Sequence, residues 1–133
     1  MEITRTAIAE LSYDVDDSLL HIRMMKGAEM NIENTIEHYR TIERITGGKK
    51  YLALVDASEY FTIDSETLKY TSLPQTIEKR IATAHYQSAL GNKLTMDFFR
   101  KFHKPPLPVN LFETKEEAIE WLKRQWNETM NKN

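Results

Sequence analysis

Two short clusters in the chain combine carboxylates with hydroxyls, the groups that accept phosphate, hold cations or move protons. The first is Val55-Asp56-Ala57-Ser58 and the second is Asp64-Ser65-Glu66-Thr67. A serine at a helix start meets free amides and the positive end of the helix dipole, so a phosphate on Ser65 would be stabilised there. The same residue types are the preferred helix caps, and capping alone accounts for Asp64-Ser65. Negative neighbours at Asp64 and Glu66 would oppose a phosphate at that point. Asp56 ends an apolar run, the place where open parallel sheets gather ligands. No second carboxylate at short spacing supports acid–base work, so a loop cap is the plainer reading of Asp56. Ser58 belongs to the same rim.

The remaining chemistry-bearing residues reduce to structure. His21, His38, His85 and His103 show no ligand spacing, and His21 and His85, on predicted strands, could meet only through the fold. Phe98-Phe99-Arg100-Lys101-Phe102-His103-Lys104 mixes aromatics with cations, as single-stranded nucleic acid requires, but the spacing also fits a core-facing helix. Gly47-Gly48-Lys49-Lys50 lacks the leading glycine, the spacing and the following Ser or Thr of a P-loop. With 18 Lys and Arg against 20 Asp and Glu, the formal charge is -2, which gives nucleic acid and anionic membranes no electrostatic handle. Cysteine is absent, which excludes disulfides, thiolate catalysis and Cys-based zinc sites and fits a reducing cytoplasm. No metal or cofactor is implied. The first residues lack a secretory pattern, and no apolar run approaches a bilayer span. Cytoplasmic localisation is the expectation.

The elements that must position these residues follow from periodicity. Residues 2 to 13 and Leu19 to Met25 alternate apolar and polar positions around the turn cluster Asp14 to Ser18, which predicts an antiparallel hairpin ending at Gly27. Asn31 caps a predicted helix to Thr46, with Ile32, Ile36, Tyr39, Ile42 and Ile45 as its buried stripe and Gly47-Gly48 as its stop. Tyr51 to Val55 is almost wholly apolar, the mark of a central parallel strand covered on both faces. A helix begins at Asp64-Ser65 and is interrupted near Leu73-Pro74. Gln75 to Lys79 is read as its end and Arg80 to Gln87 as a strand, with one long helix as the alternative. Ser88 caps a further helix through Leu90, Leu94, Phe98 and Phe102, and a last strand runs from Pro108 to Phe112. Thr114 and Glu117 form a capping box for the final helix, whose buried face is Ala118, Ile119, Leu122 and Trp126.

The expected fold is α/β: a mixed, mostly parallel five-stranded sheet with an N-terminal antiparallel hairpin and about four helices. One domain spans residues 1 to 126, followed by a polar tail from Asn127 to Asn133. This order resembles the STAS superfamily, and within it the divergent bacterial SpoIIAA-like, or STAS/SEC14-like, domains. Leu52-Ala53-Leu54-Val55-Asp56 with Asp64-Ser65 carries the likeness, together with Phe98-Phe99 through Lys104-Pro105 to Phe112 and Ala118 to Leu122. The resemblance implies a serine at that helix start phosphorylated by a partner kinase, which matches Ser65. Glu66 and Thr67 depart from the small Ser-Gly pair usual there. It also implies a non-enzymatic regulatory or protein-interaction module working through a rim of Asp56, Ser58, Asp64 and Ser65.

The alternative is a small-molecule or lipid-binding domain with an apolar pocket between sheet and helices, lined by methionines such as Met24, Met25 and Met96. A protein partner is expected. Trp121, Trp126 and Tyr39 are read first as core residues and second as anchors of a homodimer through the last helix.

Overall fold

The computed structural model describes residues 2–87, 89, 90, 93, 94 and 106–131. The alternating N-terminal segment gives three strands where two were expected: β1 (Thr4–Arg5), β2 (Ala9–Asp14) and β3 (Leu19–Met24). The extra break lies at Thr6, whose hydroxyl accepts from the amides of Ile8 and Ala9 at 3.3 and 3.1 Å. That local turn competes with the ladder and folds β1 back on β2.

A two-residue β4 (Glu29–Met30) precedes α1 (Ile32–Thr46). Asn31 caps α1: its side chain accepts from the Asn34 amide at 2.8 Å, and the Asn34 side chain accepts from the Asn31 amide at 2.9 Å. Gly47 closes the helix at φ 69°, a left-handed conformation that glycine adopts without a Cβ penalty. The most buried positions of α1 are Thr35, His38, Ile42 and Thr46, a stripe rotated by about one residue from the expected isoleucine and tyrosine positions. Polar residues occupy it because each finds a local partner. Thr46 donates to the Ile42 carbonyl at 2.9 Å, and His38 Nδ1 lies 3.2 Å from the Thr6 hydroxyl.

Next come β5 (Tyr51–Asp56), the short β6 (Thr62–Ile63), α2 (Ser65–Thr71) and β7 (Arg80–Tyr86). β7 bears out the strand expected there. Gln75 to Lys79 forms turns rather than the end of a helix, because Pro74 removes a backbone donor just past the Ser72 cap. β8 (Val109–Phe112) and α3 (Lys115–Met130) complete the order. Thr114 caps α3 by accepting from the Glu117 amide at 3.2 Å; the Glu117 carboxylate turns back to the Thr114 hydroxyl at 2.9 Å. The helix runs on to Met130, into the stretch expected as a polar tail.

The main sheet has six strands, not five, in the order β1-β2-β3-β5-β7-β8, with β4 and β6 as a separate parallel pair. β1, β2 and β3 are antiparallel, whereas β5 pairs in parallel with both β3 and β7, and β8 joins β7 in parallel. Among the described residues there are three helices, not four. The fourth, expected from Ser88 to Phe102, lies outside the described residues apart from a few positions that include the exposed Leu90 and Leu94. The aromatic and basic run from Phe98 to Lys104 lies outside them too. No described helix is long and apolar enough to cross a membrane.

β5 divides two cores. Ala53 and Val55 join Leu20, Ile22, Met24 and Ile42 on the α1 side, and Leu52 and Leu54 join Ala82, Ala84, Ala118 and Leu122 on the α3 side. Trp121 stacks on Phe112 at 5.5 Å between ring centroids, and Trp126 packs on the same cluster. α3 packs against β5, β7 and β8. Beyond it, the same sheet face carries a solvated cross-strand row in which Glu10 pairs with Arg5 at 2.9 Å and Arg23 at 3.6 Å. Exposed pairs of this kind contribute about 0–1 kcal/mol each.

The contrast between these regions is measurable. Leu122→Ala, at a fully buried position, is expected to cost about 2–5 kcal/mol in urea unfolding. Gly47→Ala should cost about 1 kcal/mol, and Arg5→Ala less than either.

Candidate functional site

The rim expected at the carboxyl ends of the parallel strands divides in two. Asp56 follows Leu52 and Leu54 by a period of two onto the α3 face, where it lies opposite Arg23 and Tyr86 in the ladder. Its Oδ1 accepts from the Ser58 amide at 3.0 Å, an Asx turn that leaves Ser58 exposed. Burial, and then the Asp56 charge, push the Tyr86 hydroxyl above its ordinary pKa. Asp64 and Ser65 sit instead at the start of α2, which packs against α1 over the opposite face. Asp64 accepts from the Thr67 amide at 2.7 Å, and this bond holds its carboxyl below the usual range. Ser65 is exposed as the first residue of a seven-residue helix. Both aspartates therefore work as caps. His21 and His85 are separated likewise: His21 stands opposite Leu54 on the α3 face and His85 opposite Val55 on the other. Among the described residues no three His, Asp or Glu side chains gather as a metal set.

What the structure builds instead is a cavity of about 160 Å³ on the α1 side of the sheet. Ile22, Val55 and Val109 form its floor, Met24, Met30 and Phe61 one wall, and Leu68, Thr71 and Ser72 of α2 its cover. Of the methionines expected to line such a pocket, Met24 does so and is joined by Met30. Met25 is exposed, and Met96 lies outside the described residues. A second hollow, of about 380 Å³, lies beyond Tyr39. Its walls include Arg40, Glu43, Glu78 and Lys79, which marks a solvated groove.

The polar part of the cavity is concentrated in His38, Arg80, Thr83 and His85. Among the described residues Arg80 is the one lining residue with a fixed charge, and no Asp or Glu joins it there. Its position follows from an irregularity in the sheet. Tyr51 lies opposite Arg80 but Leu52 lies opposite Ala82, so Ile81 is an extra residue in β7. Were β7 to alternate regularly through Ile81, Arg80 would share the face of Ala82, beneath α3; the irregularity instead keeps Arg80 on the α1 side beside Tyr51.

There the guanidinium is clamped between two rings, 5.4 Å from the centroid of Tyr39 and 5.5 Å from that of Tyr51. Nε donates to the Tyr51 hydroxyl at 3.1 Å and Nη1 to Thr83 Oγ1 at 3.4 Å. Nη2 is shut off from water and has no acceptor among the described residues. Cation–π contacts contribute roughly 0.5–2 kcal/mol each. Desolvating a guanidinium costs up to several kcal/mol, and a carboxylate is its usual compensation. The tyrosine clamp therefore holds the cation in place without neutralising it.

Burial, with Arg80 adding repulsion, lowers the His38 pKa from 6.5 to about 3, so the imidazole stays neutral. Burial also raises the Tyr39 hydroxyl above its ordinary value. Neither His38 nor Arg80 was singled out from sequence. The signal for His38 was available in the spacing of Thr35, His38, Ile42 and Thr46, which is helical although three of the four are polar. For Arg80 it was a cation opening the otherwise small and apolar run Ile81-Ala82-Thr83-Ala84.

These features define an α/β domain with a SpoIIAA-like fold. The architecture matches that of an uncharacterized protein from the DUF3478 family with a SpoIIAA-like fold, from Shewanella loihica PV-4, at a TM-score of 0.59 and 18% sequence identity. The match covers 92% of this chain and 98% of that one. The chain belongs to the DUF7793 family, a domain of unknown function, whose model matches residues 13–125. No curated protein matches the sequence significantly.

The lowered His38 pKa sets a pH dependence. Below about 6.5 the unfolded chain takes up a proton that the folded chain refuses, so stability falls as pH drops toward the folded value near 3. Between pH ~7 and pH ~5 the loss from His38 should be about 2 kcal/mol. Urea unfolding should show this component of the slope in the native chain and its disappearance in His38→Gln.

Proposed function

We propose that this domain is a non-enzymatic regulatory module that binds a small, largely apolar molecule in the cavity between the sheet and α1–α2. One observation carries the reading: the sheet face under α2 is hollow where the face under α3 is filled by Leu122 and Ala118. An apolar cavity of about 150 Å³ accepts a guest the size of benzene, so 160 Å³ suits one ring or a short branched chain. Filling the hollow would tie α2 more firmly to the sheet, and the α1–α2 surface presented to a protein partner would then report occupancy.

The phosphoswitch reading is kept as a second one because Ser65 is exposed on the helix whose later residues cover the cavity. Phosphorylation at that start would be favoured by the helix dipole and opposed by Asp64 and Glu66. It predicts a modified Ser65 in mass spectra of the native protein.

Toluene is the direct probe of the first reading. On titration, the methyl resonances of Ile22, Val55 and Leu68 should shift together and saturate. Thr71→Trp, which fills the hollow from α2, should abolish the response while leaving the fold intact. Methyl resonances that stay unmoved in the native chain would end the proposal.

A further inference from the structure

The described lining of the cavity is mostly apolar, and its one fixed charge, Arg80, has no Asp or Glu beside it among the described residues. Building on the ligand-binding reading above, we infer that Arg80 is an anion seat and that the cavity's ligand is a compact carboxylic acid, its apolar body against Val55, Leu68 and Ile77.

Three features of the site agree on this. An apolar hole gains nothing from a guanidinium turned into it, yet the irregular pairing of β7 turns Arg80 there. Two tyrosine rings and the Tyr51 hydroxyl fix the guanidinium plane, so its orientation is set before any ligand arrives. The edge bearing Nη1 and Nη2 is left under-satisfied: Nη1 makes one long bond, of 3.4 Å to Thr83, and Nη2, closed to water, makes none among the described residues, so a ligand must part the side chains over it to reach it. A planar carboxylate matches that edge with two parallel hydrogen bonds. Neutral His38 lines the same cavity and adds no charge there. The volume near 160 Å³ leaves room for a ring or short branched chain behind the carboxylate.

Calorimetry on the full chain tests this with benzoate and with benzyl alcohol, its uncharged counterpart of similar shape. Benzoate is expected to bind at least about tenfold more tightly, since a hydrogen bond to a charged group is worth a factor of that order. Arg80→Gln should remove the preference, bringing the ratio of benzoate to benzyl alcohol affinity to about one. If that variant does not fold, Arg80→Lys serves instead, because an ammonium keeps the charge but loses the paired geometry, and the preference should shrink. Equal binding of acid and alcohol to the native chain would overturn the anion seat while leaving the apolar cavity standing. A benzoate preference that survives in folded Arg80→Gln would overturn it as well. If neither compound nor toluene binds, both the seat and the cavity reading fall.

Discussion

Burial of β5 on both faces is the constraint from which the rest follows. A strand of Tyr51-Leu52-Ala53-Leu54-Val55 without polar alternation cannot show either face to water, so each face needs its own cover. α1 with α2 supplies one and α3 the other. The two covers differ in quality. Under α3, alanines at 82, 84 and 118 let helix and sheet approach closely, and Leu122 fills what remains. On the opposite face β7 offers Arg80, Thr83 and His85 in place of aliphatic side chains, and α2 is only seven residues long. One side is therefore packed to completion and the other is not.

The proposed ligand site rests on this asymmetry and not on the carboxylates. Asp56 and Asp64 attract notice as acids near strand and helix ends, yet each is engaged by an amide within three residues of it. One amide bond to its own turn accounts for the place of each carboxylate without a ligand. A guanidinium held by aromatic faces is the reverse case: well positioned, charged and short of an acceptor among the described residues.

Much of the architecture was legible in the sequence because the relevant signals are local. The Asn31 cap, the Gly47 stop, the apolar β5 and the Thr114 cap each depend on a few adjacent residues, and each falls where expected. The SpoIIAA-like fold was readable from their order. What failed depended on contacts distant in sequence. The rotated stripe of α1 needs Thr6 to satisfy His38, and the extra edge strand needs the Thr6 turn itself. The candidate rim is split for a geometrical reason: residues close in sequence around position 60 are sent to opposite faces of the sheet. The cavity was foreseen in kind, as an apolar pocket, but its charged corner depends on a sheet irregularity that no periodicity analysis of one strand reveals.

That irregularity has an evolutionary corollary. Because side chains alternate along a strand, a relative in which β7 paired regularly through the position of Ile81 would turn the residue at position 80 beneath α3 and leave the cavity wall neutral. Two chains with the same cavity-lining amino acids could thus differ in ligand charge through register alone, and comparing their strand pairing would separate them better than comparing the residues themselves.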